Sequence, residues 1–462
     1  MKHIPLLIGS GLLGLSLFSG CSNGTHRRAP EADAGEGGEP ASRGGSRPTA
    51  GAPNAGAPSV GGEGGAAGEA GASEAGFGGA NEAGAAGEAG AAGAAPVVFE
   101  CPSTGGSIVF ADAALEARVR SELLLATGPI TAEAAASLKQ LSTSALGIQS
   151  LQGLQCFTEL TQLSLTSDQF SDLTPLAALT KLTSLSLLGN RISDVRPLMG
   201  LSALGSLNLG FNQVQDLSPF ASYAGHGYLG LPGNQISNVA PLAGLTQLTE
   251  LDLSTNSIVD SAGLHGLSGL SLLWLIGNPL TSIAPVVDSS ELTDFSAGPS
   301  VTDLQPLTSL PKLHTLALSP GETPISLTPL ASLAALETLT LYAPSAGQTY
   351  APVGDLPALH NLDLQGVGFS SISFVSKLSQ LSNFSLEYSS VSDISALSAL
   401  SQLSSVHFTL NQITSLSPLV SNTAFAQFAT LYVSDEPLDC AAQAANIKAL
   451  RDRGVTVTGQ CP

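Results

Sequence analysis

The chain has 462 residues, a formal charge of −20, only 11% charged residues and 51 glycines, unevenly spread and densest before residue 97. No cluster of Lys or Arg is present, which excludes a phosphate-tracking nucleic-acid surface. Five cysteines in a chain that opens on an export leader point to an oxidising compartment, with one cysteine left over from any pairing.

Residues 1–21 read MKHIPLLIGSGLLGLSLFSGC: Lys2, an apolar run from Ile4 to Phe18, then small residues before Cys21. About 15 apolar residues interrupted by glycines fall short of the roughly 20 needed to cross hydrocarbon, so this is a secretory leader and not a span. Phe18-Ser19-Gly20-Cys21 resembles the lipobox of bacterial lipoproteins, although Phe18 stands where that family usually carries Leu. The resemblance implies cleavage before Cys21, lipidation of its thiol, and, with Ser22 following, placement at the outer membrane or cell surface.

Residues 22–96 are almost entirely Gly, Ala, Glu, Ser and Pro, with Phe77 as the sole aromatic residue. Such a segment cannot bury enough apolar area to fold and is expected to act as a disordered tether. A flexible chain of that length spans roughly 45–50 Å end to end.

The segment 97–137 is expected to form a cap. Asp112 is placed as an N-cap, Leu115, Val119 and Leu123 share one helical face, and Gly128-Pro129 provides the stop.

From Leu138 to residue 435 the chain repeats about every 22 residues. The plainest copy is LTSLSLLGNRISDVRPLMGLSA, starting at Leu182. Thirteen copies start at Leu138, Leu160, Leu182, Leu204, His226, Leu248, Leu270, Leu292, Leu313, Leu336, Leu359, Leu381 and Leu403. In each, an alternating segment predicts a strand, so that Leu185 and Leu187 point inward while Ser184, Ser186 and Leu188 point outward. Asn190, Asn212, Asn234, Asn256, Asn278 and Asn411 follow the strands, where an inward amide can satisfy backbone groups exposed by the turn. Proline recurs on the return segment, as at Pro197, and favours short 3-10 turns there. The copies at Leu292, Leu313 and Leu336 depart from 22 residues, which predicts local irregularity across 296–352.

This pattern resembles leucine-rich repeats of the internalin-like bacterial type. The resemblance implies an α/β solenoid, a right-handed superhelix with a long parallel sheet on its concave face, 3-10 turns on its convex face and a helical cap at each end. Residues 436–462 suit the C-terminal cap, with Ile447 and Leu450 on one helical side, Gly454 as the stop and a strand at Val455–Val457. With Cys21 assigned to lipid, Cys101, Cys156, Cys440 and Cys461 allow three pairings. Proximity in the chain favours Cys101–Cys156 and Cys440–Cys461, one disulfide in each cap region. Zinc is the competing use of these thiols, but the chain has no CxxC pair.

No nucleophile elbow, HExxH, phosphate-cradling loop or dinucleotide fingerprint is present, so no catalytic, cofactor-binding or metal-binding residue is assigned. The expected ligand-binding residues lie on the outward side of the sheet: Phe211, Tyr228, Asp252, Trp274, Ile276, Tyr342, Asp363 and His407. Trp274, the sole tryptophan, stands between inward Leu273 and Leu275, which turns it outward beside Ile276. These residues suit a non-enzymatic protein that recognises a protein ligand. Stacking of the aromatics on sugar rings keeps cell-surface or extracellular polysaccharide open, as does a spacer role with no specific ligand.

Overall fold

The computed structural model describes residues 101–461, apart from 103–105, 320, 322, 343–346 and 367–368. The expected leader, the lipidation site Cys21 and the tether at 22–96 all lie outside the described residues. The chain divides into two units, and the second, Gly90–Pro462, holds everything described below.

Two helices, α1 (Ala113–Glu122) and α2 (Ala132–Ser137), precede the sheet. Its strands are β1 (Gln140–Ser144), β2 (Gln162–Thr166), β3 (Ser184–Ser186), β4 (Ser206–Asn208), β5 (Gly227–Gly230), β6 (Leu248–Asp252), β7 (Leu272–Trp274) and β8 (Asp294–Ala297). They continue as β9 (Thr315–Leu318), β10 (Thr338–Tyr342), β11 (Asn361–Gln365), β12 (Asn383–Glu387), β13 (Ser405–Thr409), β14 (Thr430–Ser434) and β15 (Thr456–Gly459). The helices α3 (Ser417–Ser421) and α4 (Ala444–Asp452) lie among the last of these.

All fifteen strands pair in chain order, and every pairing is parallel. One coil therefore stacks on the next, which is the solenoid that the repeat predicts. The inward positions form continuous apolar rows: Leu163, Leu185, Leu207, Leu229, Leu251 and Leu273 are all at least 98% buried. Each such side chain contributes about 1.5–3 kcal/mol, but only because neighbouring coils cover it.

Return segments are 3-10 helices, and eight of them carry Pro in the first turn, among them Pro175, Pro197, Pro241 and Pro329. Proline lacks an N–H, and the first turn of a helix has no internal acceptor for one. A feature that the sequence reading missed opens these turns. Asp172, Asp194, Asp216, Asp260, Asp303 and Asp393 each accept a hydrogen bond from the backbone N–H two residues on.

The asparagines form a ladder that runs along the coils. Leu187 O accepts from Nδ2 of both Asn190 and Asn212 at 3.0 Å, and Leu209 O accepts in the same way from Asn212 and Asn234. Leu231 O and Leu253 O continue the pattern through Asn256 and Asn278. In return, Oδ1 of Asn212, Asn234, Asn256 and Asn278 accepts from a backbone N–H of the preceding coil at 2.9–3.0 Å. The rung at Asn190 is incomplete, because its buried Oδ1 has no partner.

The run of asparagines ends at Asn278, Asn411 forms a separate rung, and an acid stands beside each of the two. Asp168 occupies the Asn position at the front: its Oδ1 accepts from Leu146 and Ile148 N–H, but its buried Oδ2 has no partner. At the back, Glu436 accepts from Asn411 N–H and Nδ2 through Oε1 and from Ile413 N–H through Oε2. Burial raises the Glu436 carboxyl above the ordinary range, against the pull of these donors.

Several expectations need correction. The sheet has two strands beyond the thirteen copies: β14 follows a coil three residues longer, and the cap strand, at Thr456–Gly459 instead of Val455–Val457, joins the same sheet. Helix α1 ends at Glu122 with Leu123 as its C-cap, short of Gly128-Pro129, because Leu124 turns left-handed at φ 56°. Across 296–352 the irregularity does not extend to the strands, which pair in register from β8 to β11. Among the described residues the register shifts at Gly227, whose φ is 79°; a Cβ there would fall 2.4 Å from Gly205 O.

Both ends are closed as expected. Asp112 accepts from Ala114 and Leu115 N–H, its second oxygen accepts from Gln149 N–H, and Leu115 and Val119 are fully buried. Ile447 and Leu450 of α4 are buried, and Gly454 takes φ 88°. Disulfides join Cys101 to Cys156 and Cys440 to Cys461, with Cα separations of 5.3 and 5.6 Å.

The ladder yields an asymmetric expectation. Asp168→Asn places an amide donor at the second lone pair of Leu165 O, which already accepts from Asn190, and should raise stability by about 1 kcal/mol. Asn234→Ala orphans Val214 N–H and removes donors from two buried carbonyls, and should cost at least about 2 kcal/mol. Urea denaturation of both variants beside the parent checks the signs; a loss of stability in Asp168→Asn would contradict the ladder.

Candidate binding face

Side chains on the outward side of a strand meet their neighbours in register, so the sheet carries residues in rows. The middle row reads Gly230, Asp252, Trp274 and Ser296 across β5 to β8, and Asp363, Ser385, His407 and Tyr432 across β11 to β14. Within the fifteen strands there are five acidic residues, Glu250, Asp252, Asp294, Asp363 and Glu387, and no Lys or Arg.

Two groups of side chains stand out on this face. In the first, Tyr228 lies along its own strand, with its ring over Gly230: a Cβ on Gly230 would sit 2.2 Å from the Tyr228 hydroxyl oxygen. Asp252, on the next strand, is 7% exposed and accepts from Ser254 N–H at 2.9 Å. Burial raises the Asp252 carboxyl, only partly offset by Ser254. Burial, with Asp252 and Glu250 nearby, holds the Tyr228 phenol far above its ordinary value. Beside them Trp274 is 38% exposed and Ile276 half-buried, as strand alternation predicts.

The second group lies on β10 to β14. Asp363 Oδ2 accepts from Gln365 Nε2 at 2.9 Å, whereas Oδ1 is buried and accepts nothing. Burial raises this carboxyl too, against Ser385, Gln365 and the charge of His407. The Tyr342 phenol is raised by burial and then by Asp363 and Glu387. His407 Nε2 lies 2.9 Å from Thr409 Oγ1 and 3.8 Å from Glu387 Oε1, and its ring is 4.5 Å from that of Tyr432. Its near partners are thus a threonine hydroxyl, a carboxylate and a tyrosine ring.

Of the expected binding residues, Tyr228, Asp252, Trp274 and Ile276 come together, and so do Tyr342, Asp363 and His407. Phe211 belongs elsewhere. It is not on the strand but in the following turn, left-handed at φ 54° and 52% exposed. The equivalent turn residue of the next coil is Gly233, where a Cβ would fall 2.6 Å from the Phe211 ring. Tyr388 and Leu410 hold the same kind of position, left-handed and exposed. Tyr432 was missed because its strand follows the one coil of 25 residues. Among the described residues no group of three His, Cys, Asp or Glu side chains could hold a metal ion, and no helix is long and apolar enough to cross a membrane.

A family model for Leucine Rich repeats (2 copies) matches residues 180–222. Among solved structures, the fold is similar to an internalin (inlF) from Listeria monocytogenes, at 25% identity and a TM-score of 0.55, over 75% of this chain and 95% of that one. A leucine-rich-repeat protein of Leptospira interrogans shares the fold at 19% identity and a TM-score of 0.58, covering 72% of this chain and 86% of the other. The functional domain of InlJ from Listeria monocytogenes does so at 22% identity and 0.52, over 74% and 78%. No curated protein matches the chain by sequence.

The raised carboxyls set a pH dependence. The folded chain keeps the Asp252 and Asp363 protons to higher pH than the unfolded chain does. The resulting penalty is complete above the folded value and fades as pH falls toward the unfolded value, about 4. Asp252→Asn and Asp363→Asn should therefore each raise the denaturation midpoint at pH 7, with the gain shrinking toward pH 4. Equal gains at both pH values would rule out this origin.

Proposed function

We propose that this chain is a non-enzymatic, surface-anchored protein that recognises a protein partner through the outward face of its sheet. The observation that carries the reading is the unbroken fifteen-strand face, which presents two groups of aromatic and acidic side chains from a rigid scaffold. Stacked repeats create extended binding surfaces of this kind, and the internalin-like fold is typically a binding scaffold. The left-handed turn supplies further support. Phe211, Tyr388 and Leu410 each accept a backbone conformation costing about 1–2 kcal/mol, yet leave 52%, 51% and 42% of their surface exposed. Bulky apolar groups displayed at that cost suit contact with a partner. In this reading the leader exports the chain, Cys21 carries lipid, and residues 22–96 hold the solenoid away from an outer membrane or cell surface.

Trp274 is the natural anchor of the contact, because it is large, rigid and half open to solvent beside Ile276. Trp274→Ala should weaken partner capture by about 2 kcal/mol, roughly 30-fold, while leaving thermal unfolding unchanged because the indole lies outside the core. Chemical crosslinking on intact cells, with the parent and variant compared, measures this. Undiminished capture by the variant, or capture abolished by competing glycan and not by protease treatment of the partner, would overturn the reading.

A further inference from the structure

The sheet face is chemically one-sided. Its charged residues are the five acids, and the Lys and Arg side chains of the described residues lie off the strands, many of them already engaged. Lys139 and Lys181 both hold Glu159, Arg196 holds Asp194, Lys312 holds Glu291 and Lys377 holds Asp355. Arg451 donates to Cys461 O in the C-terminal cap, and Arg453 donates to Asn422 O and Val420 O of the last solenoid turn. Among the described residues no Lys or Arg pairs with Asp252 or Asp363: Arg191 donates to Gln169, only the charge of His407 reaches Asp363, and Asp363 Oδ1 accepts no hydrogen bond.

Resting on the reading above, we propose that the partner segment seated on this face is a cationic polypeptide, with basic side chains that enter the two acidic and aromatic stations. The first station is Tyr228, Glu250 and Asp252 next to Trp274; the second is Tyr342, Asp363 and Glu387 next to His407. Charge complementarity selects this occupant. A Lys or Arg head group pairs with a carboxylate and lies against an aromatic face, and the planar Arg fork supplies paired donors for a carboxylate such as Glu387. An acidic or neutral partner would leave these carboxylates desolvated and unpaired, which is unfavourable.

The spacing is also set by the fold. Asp252 and Asp363 stand on β6 and β11, five strand intervals apart, or about 24 Å at ~4.8 Å per interval. An extended polypeptide covers that span with about seven residues. The partner's basic groups should therefore be separated, and not massed at one point.

The test uses the purified full chain and labelled synthetic peptides read by fluorescence anisotropy. One peptide carries two Arg pairs seven residues apart, the second has the same composition with the four Arg contiguous, and the third has Glu for Arg. The spaced peptide should bind at least fivefold more tightly than the contiguous one, with no binding by the Glu peptide. Binding of the spaced peptide should fall at least tenfold in the triple variant Asp252→Asn, Asp363→Asn, Glu387→Gln. A control triple, Asp216→Asn, Asp303→Asn, Asp393→Asn, removes the same charge from the opposite turns while retaining their backbone acceptors, and should stay within twofold of the parent. Equal weakening by both triples would reduce the effect to bulk acidity and overturn the proposal, as would indifference to spacing or absence of binding. Crosslinked capture separates the two ideas. If Trp274→Ala lowers capture and the sheet-face triple does not, the cationic partner is wrong and the protein-binding reading stands; if neither lowers it, both fall.

Discussion

A single coil of this protein cannot shield its own aliphatic side chains or pair its own turn backbone. Both debts are settled by the coil next to it: inward leucines are covered from either side, and each asparagine links a carbonyl of its own coil to one of the coil before. The buried amide ladder is the stricter of the two constraints, since a leucine tolerates small changes of shape, whereas an unpartnered buried N–H or C=O is expensive wherever it occurs. Stability therefore belongs to the stack, and the ends need special treatment. Helix α1, helix α4 and the two disulfides provide it.

That same constraint frees the other side of the sheet. Because inward positions carry the folding energy, outward positions are nearly independent of it, and most of them are Ser, Thr, Asn or Gly. Against that background the clustering of Tyr, Trp and carboxylates on β5 to β7 and β10 to β14 stands apart. Asp252 and Asp363 are held in a charge-unfavourable setting by their surroundings and bring the fold no compensating ion pair. Groups kept at such a cost are more readily understood as part of a contact surface than as part of the scaffold.

Much of this was legible in the sequence because a repeat states its own geometry many times over. A period of 22, with Leu, Asn and Pro in constant phase, determined the strand direction, the inward rows, the buried asparagines and the outward placement of Trp274. Cap helices and cysteine pairing were legible too, through Asp112, Gly454 and the nearness in sequence of each cysteine pair. The outward placement of Asp252, Asp363 and His407 follows from the same alternation.

The tertiary structure decided whatever depended on departures from the period. A coil of 25 residues hid β14, and with it Tyr432; the bulge at Gly227 and the strand of the C-terminal cap were hidden for the same reason. Phe211 reads as a strand residue in one dimension, but the backbone turns left-handed there and moves it to the rim. Nor could periodicity reveal that Asp168 stands before the run of asparagines and Glu436 beside the separate Asn411 rung, because their role arises from what the neighbouring coil leaves unpaired. Repetition encodes the interior of a solenoid, where each coil meets a copy of itself; its ends and rims meet something different, and only the folded chain shows what.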